Sequence, residues 1–357
     1  RPKLEPGAEC WLTIRFRLYN STLWAEKGHE VAWSQFSMPF DTPAGPLLRT
    51  ENMPNLRLKE SGKEAIMTGT DFSLILDKEK GQIVSLKHKG YELMKNGPIL
   101  NVWRAPTDND VPRMAPKWRS FGLDRIEHQV KTIEVKKVSP QAIRITVAAD
   151  ARAPNFADGF NYKLNYTIYG SSDIVIEADV APSEKLPPLP RIGLKFTIPE
   201  GYETFTWYGR GPHENYWDRK EGAQVGLYSG TVDDQYVPYI KPQENGNKTD
   251  VRWASLANEE GVGLLVVGMP LLEVSAHHFT TDDLAKANHT SEVKRREDIT
   301  LNLDYKQSGL GGGSCGPDTL LKYQIKPEPV HFSVRLRPLS KESSAMKLSK
   351  QMIEKTG

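Results

Sequence analysis

Alternation of apolar and polar residues at period two runs through most of this chain and commits it to strands. In CWLTIRFRLY, Cys10, Leu12, Ile14, Phe16 and Leu18 fall on one face, and Thr13, Arg15 and Arg17 on the other. That pattern predicts a half-buried strand with Cys10 in its core. EVAWSQFSM repeats it. PFDTPAGPLL then gathers three prolines and a glycine, which marks a linker, so a boundary is placed near Asp41–Leu48. The piece before it is too short to close a β domain and reads as the tail of a sandwich. Beyond it, FSLILDKEKGQIVSLKHKGYEL predicts a hairpin about Lys80-Gly81, and YKLNYTIYGSSDIVIEADV another about Gly170-Ser171-Ser172. AIRITVAADA, RIGLKFTIP, VGLLVVGM, LLKYQI and VHFSVRLRPL add further strands. The one helix signal is TTDDLAKAN, with Thr280 or Thr281 as cap and Asp282 and Asp283 in the first turn. So many long strands over most of 357 residues predict two large antiparallel sheets packed face to face, an all-β fold.

Several functional classes are disfavoured at once. Lys+Arg number 47 and Asp+Glu 45, so no basic face for nucleic acid is indicated. The longest apolar run, Val262–Leu272, contains Gly and Pro and is too short to span a bilayer; it reads as a buried strand and turn. A soluble chain is expected, cytoplasmic or periplasmic. It opens without a signal peptide, directly in a strand pattern, as a segment of a longer polypeptide would. Two distant cysteines, Cys10 and Cys315, fit neither a disulfide framework nor a metal motif.

The motifs are read against chemistry they could support. Gly311, Gly313 and Gly316 form G-x-G-x-x-G, but Pro317 and a strand pattern follow instead of a helix, so a dinucleotide site is rejected. The loop is then either a hairpin connection or a segment reaching into a site on another domain. His277 and His278 point to opposite faces of a strand and cannot share one metal, which predicts one core and one surface histidine. Glycosidic hydrolysis needs two carboxyl groups, and Glu214, Asp218, Asp233, Asp234 and Glu244 are candidates by type that the sequence cannot pair. Cys315 with a distant histidine is a weaker nucleophile candidate. The best signal is a mixture: Trp207, Tyr208, Tyr216, Trp217 and Trp253 accompany Arg210, His213, Asn215, Glu244, Asn245 and Arg252. Rings with planar amide, carboxylate and guanidinium groups suit the C–H faces and hydroxyls of sugars; they equally suit an aromatic sheet face whose charges pair with one another.

Four ordered stretches carry a family resemblance. WYGRGPHENYWDR (207–219) resembles the G-x-G-P-x-E-N-Y-x-D-R signature of the large β-galactosidases of glycoside hydrolase family 2. WRAPTDND (103–110), YVPYIKPQENGNKTDVRW (236–253) and GLGGGSCGP (309–317) resemble three further family segments in the same order. The resemblance implies that residues 46–357 form the family's last domain, a super-sandwich similar to galactose mutarotase, and that residues 1–45 are the end of an immunoglobulin-like sandwich. In the family the two catalytic glutamates lie in an upstream barrel, which these residues do not contain. The chain is then expected to be a C-terminal accessory region, inactive alone, that completes the active-site mouth. The turn about Pro212 would be locked by Glu214, Asn215, Asp218 and Arg219. In the best-known members the glycine loop carries a tryptophan in the sugar subsite. Cys315 stands nearest that position here, in a slightly shorter loop, leaving Gly313, Ser314 and Gly316 to offer backbone groups.

A sugar-binding module using Arg210, His213, Glu244, Trp253 and His278, or an aldose epimerase, are the alternatives. No cofactor is expected of this region; Mg or Na would belong to other parts of the parent enzyme. The implied partners are a β-galactoside or other saccharide and the upstream domains, and a homo-oligomer is compatible with the resemblance.

Overall fold

The computed structural model describes residues 3–354. Seventeen strands join in one sheet whose pairings are antiparallel. Its centre is Gly263–His277. Residues Gly263–Met269 of this strand pair with Val330–Leu339, while Glu273–His277 pair with Ile299–Gln307. Its other edge takes Lys248–Ala257, then Thr204–Gly211 and Gln224–Thr231. One arm continues from Val330–Leu339 through Ile174–Pro182, Phe160–Tyr169, Ala142–Arg152 and Glu127–Ser139. The other runs from Ile299–Gln307 through Arg191–Ile198 and Asn96–Asn101 to the strands between Arg57 and Met94. Buried side chains from all arms form one continuous core. This is the antiparallel super-sandwich the resemblance implied; the two sheets expected from the alternation are layers of one continuous seventeen-stranded sheet.

Local chemistry explains the elements. Phe72–Asp77 and Ala142–Arg152 alternate between buried and half-buried residues, so each gives one face to the core. Gly263–His277 is buried on both faces except at Met269–Leu271, as its unbroken apolar run requires. Both predicted hairpins form, with Gly81 at φ 67° and Ser172 at φ 71° in their turns. The helix Thr281–Lys286 is capped by Thr280, whose hydroxyl accepts from the Asp283 amide while the Asp283 carboxylate accepts from the Thr280 amide.

Four local expectations are corrected. Leu12, Ile14 and Phe16 are 46%, 43% and 57% exposed; the apolar face of Trp11–Arg17 lies bare, and Cys10 is only half-buried. The strand pairs with Glu30–Ser37, and the hairpin docks through its other residues. The LLKYQI segment is a short 3-10 turn at Leu321–Tyr323 rather than a strand, because its leucines face solvent. Met114–Ser120 is a helix, too short to show a periodic stripe, that buries Trp118 and donates its indole N–H to the Pro188 carbonyl at 2.7 Å. Ala345–Ser349 is a second unread helix, which covers a small core around Trp253 and Leu339.

The docking of the N-terminal hairpin is specific. The Gln35 side chain donates to the Val225 carbonyl at 2.9 Å and accepts from the Val225 amide at 2.8 Å, so one amide caps the edge strand Gln224–Thr231 as a neighbouring strand would. Arg15 adds a bond to Gln224 at 3.0 Å, and Glu9 pairs with Arg252 at 2.8 Å. Replacing Gln35 with Ala should lower stability by about 1 kcal/mol and speed amide exchange along Gln224–Thr231, measured by urea titration and hydrogen exchange.

Candidate functional site

The strand Arg191–Ile198 gives Ile192, Leu194, Phe196 and Ile198 to the core and turns Arg191, Gly193 and Lys195 to its opposite face. Arg191 and Asp304 are both fully buried, and the guanidinium grips the carboxylate with Nε at 3.2 Å from each oxygen and Nη2 at 2.5 Å. Gly193 sits opposite Asp304 in the ladder; a Cβ there would lie 2.0 Å from Asp304 Oδ1, so only glycine leaves room for the pair. Arg191 also reaches Glu244 at 3.4 Å, and Glu244 accepts from Gln307 at 3.2 Å. Glu273 accepts from Asn247 at 3.1 Å and from the Gln307 amide at 3.2 Å. Burial opposes the Arg191 charge, yet the Asp304 and Glu244 carboxylates hold its pKa above the ordinary value. Burial, with Asp304 nearby, pushes the Glu273 carboxyl up to about 8.

This polar layer carries the glycine loop. Arg104, 1% exposed, pairs in two places with Asp110 at 3.0 and 2.7 Å and donates to the carbonyls of Ser308 and Gly309 at 2.5 and 3.3 Å. Burial works against that guanidinium, and Asp110 outweighs it to hold its pKa above normal. Asp218 accepts the amides of Leu310 and Gly311 at 2.9 and 2.8 Å. Asn109 donates to the Gly311 carbonyl at 2.7 Å and accepts from the Ser314 amide and hydroxyl at 3.0 and 2.6 Å. Three of the four motifs therefore meet at one loop. Its base is held by side chains from far along the chain, while Ser314 and Cys315 at its tip are exposed. Arg104, Asn109 and Asp110 went unassigned from sequence, although the motif containing them was visible; residue type alone does not say that a pair six residues apart will hold carbonyls about two hundred residues away.

The other sequence candidates are dispersed. Gly313 lies half-buried in the loop, where a Cβ would come 2.7 Å from the Asn109 carbonyl. Glu214 pairs with Arg219, accepts from the Tyr239 hydroxyl and takes the Gly246 amide at 2.8 Å. Asn215 is fully buried, accepting from Thr249 at 2.8 and 2.5 Å and donating to the carbonyls of Arg210 and His213. Arg210 bonds Asp250 at 2.6 Å, and His213 is exposed beside it in sequence. Asn245 is buried and caps the Val237 amide at 3.0 Å. Trp253 belongs to the small core under Ala345–Ser349, and Trp207 stacks on Phe205 at 5.1 Å inside the main core. The aromatic residues thus share no single sugar-facing surface.

Both neighbouring histidines are buried, at 5% and 1% exposure, which corrects the expected core-and-surface split: the second face is covered too. His277 Nε2 donates to the Asn245 carbonyl at 2.9 Å, and burial lowers its pKa. His278, Glu203 and Asp233 are, among the described residues, a group of metal-ligand type. The Arg295 guanidinium already lies against all three, at 2.9, 3.4 and 3.0 Å.

Comparison with known proteins gives this geometry a family. The beta galactosidase small chain profile matches residues 68–336. The chain belongs to the β-galactosidase small-chain family. Residues 1–39 match beta-galactosidase domain 4. A beta-galactosidase of Priestia megaterium is 38% identical over 305 residues, covering 85% of this chain and 29% of the relative. One from Kluyveromyces lactis is 32% identical over 317 residues, covering 87% and 30%. The chain therefore spans about a third of the length of such curated relatives. Among solved structures, galactose 1-epimerase from Lactobacillus acidophilus is 9% identical, with 80% of this chain and 98% of that one covered at a TM-score of 0.41.

Two outcomes follow for this family member. The Asp218→Ala substitution should free the Leu310 and Gly311 amides, cost about 1–2 kcal/mol, and speed protease cleavage within Gly309–Pro317. Glu273 is raised in the fold from 4.5 to about 8, so the folded state holds its proton more tightly and this group takes away stability as pH rises through that interval. Glu273→Gln cannot ionise, and its stability relative to the parent should improve across that window by roughly 1–4 kcal/mol, read by thermal melts at each pH.

Proposed function

We propose that this chain is the C-terminal accessory part of an enzyme hydrolysing terminal β-galactosides, presenting the Gly309–Pro317 loop to an active site built by the upstream polypeptide. The observation that carries this reading is the loop itself: fixed at its base through Arg104 and Asp218, tied at Ser314 by Asn109, and exposed to solvent at Ser314–Cys315. The Ser314 amide is taken by Asn109 and the Cys315 and Gly316 amides by the Gly312 carbonyl, so a loop held this way presents the exposed Ser314 and Cys315 side chains, rather than those N–H groups, at fixed positions. The motif carboxylates are already engaged, Asp218 with the Leu310 and Gly311 amides, Glu244 with Arg191 and Glu214 with Arg219, which favours a scaffold over a self-contained acid–base pair. Residues 1–45 and 46–357 are read as separate units, the end of an immunoglobulin-like sandwich and the super-sandwich. The bare face of Leu12, Ile14 and Phe16 is the side on which the rest of that sandwich would pack.

The test is an aryl β-galactoside assay of the chain alone and of the same chain within a barrel-containing β-galactosidase polypeptide. The chain alone should show no turnover above buffer. In the full polypeptide, deleting Ser314–Gly316 should lower kcat/KM by at least about tenfold with the melting temperature retained. Turnover by the chain alone, or an unaltered kcat/KM after the deletion, would defeat the proposal.

A further inference from the structure

The polar face of Arg191–Ile198 continues past the buried network to Lys195. In the ladder Lys195 lies opposite Ile99 on one neighbour and Asn302 on the other. Asn302 accepts from Asn101 at 3.0 Å and donates to Ser275 at 3.1 Å, all three buried. At the Arg191 end this face is occupied by Glu244 and Gln307, whereas at Lys195 it borders a half-open cavity of about 650 Å³. That cavity shares no residue with the glycine loop.

The charges lining it are paired with one exception among the cations. Arg296 bonds Asp283 at 2.5 Å, Lys286 bonds Asp282 at 3.0 Å, and Arg125 bonds Asp124 at 2.9 Å. Lys195 is half-buried and its side chain, among the described residues, has no ion pair or hydrogen bond. Its ammonium is therefore reached by solvent through the cavity and open to an anionic partner there. Burial lowers its pKa; the Asp282 carboxylate opposes that shift and Arg191 reinforces it. Across the cavity His128 is held neutral, its pKa brought to about 4 by burial and by Lys195, with Nδ1 against the Tyr162 hydroxyl at 3.2 Å. Trp103 and Ile126 add apolar wall, and Thr281 and Asn101 add polar groups.

We propose that this cavity binds a small hydroxylated carboxylate, of the sugar-acid class, with Lys195 as its counter-ion. One ammonium matches one carboxylate. With the other cations of the wall already paired, the second charge of a dianion such as phosphate would be left without a partner. The mixture of ring, aliphatic, hydroxyl and amide groups suits a carbon chain bearing hydroxyls.

Calorimetry on the full chain with sodium galactonate, galactose and inorganic phosphate tests the assignment. Galactonate should bind at least about tenfold more tightly than galactose or phosphate, the difference a charge-assisted hydrogen bond supplies. Lys195→Met should remove that preference and Lys195→Arg should keep it, with thermal melts showing both folded. On the parent chain, galactonate should protect Lys195, but not Lys326, which is exposed and outside the cavity, from acetylation read by mass spectrometry, a result that needs no variant. Equal binding of galactose and galactonate, tighter binding of phosphate, retention of the preference in Lys195→Met, or acetylation of Lys195 unchanged by galactonate would each overturn the proposal.

Discussion

The grip of Arg191 on Asp304 is the contact around which the polar half of this molecule is arranged. Both groups are fully buried, and a charge there is tolerable only with its partner in place and its remaining hydrogen bonds satisfied. The pair links the strands Arg191–Ile198 and Ile299–Gln307, which are neighbours, and through Glu244 it fixes the segment that crosses over them. Gln307, Asn247 and Glu273 then fall into a connected set of amide and carboxyl groups. Space beside the set is tight, and a Cβ at Gly193 would collide with the Asp304 carboxylate at its centre.

A second buried guanidinium extends the same logic to the surface. Arg104 is neutralised by Asp110 and spends its remaining N–H groups on two carbonyls at the start of the glycine loop. Order is thus transmitted from a rigid interior to an exposed tip through directional bonds. Apolar packing could not hold a glycine-rich segment this way, since glycine has no side chain to pack. The loop combines a base held from the interior with a tip that is exposed yet tied back by Asn109.

The strands, both principal hairpins and the capped helix at Thr281 were legible because each depends on residues close in sequence. The partners of the loop were not. Asp218 and Leu310, or Arg191 and Asp304, are separated by about a hundred residues, and the type of a side chain does not reveal which distant group it will meet. The aromatic set around Trp207 looked like a surface because alternation assigns side chains to faces without saying whether a face is covered; the sheet buries Trp207 and Trp253 on different sides. The N-terminal hairpin failed in the opposite sense. Its apolar face was readable in Leu12, Ile14 and Phe16, but the layer that would cover it does not come from the residues around it. His277 and His278 show a third case, in which a strand is enclosed on both sides and even opposite-facing neighbours are withdrawn from water.

The strand Gly263–His277 has one further implication. Because its first half is stitched to one arm and its second half to the other, neither arm has a complete set of backbone partners without it. The super-sandwich cannot be divided into two halves that fold separately, and its assembly must wait for pairings that join residue 193 to residue 304 and residue 174 to residue 336. Such long-range closure makes for slow, all-or-none acquisition of structure. Gene fusions, splits and insertions in relatives of this chain should therefore be tolerated at the surface loops, and excluded from the interior of the sheet.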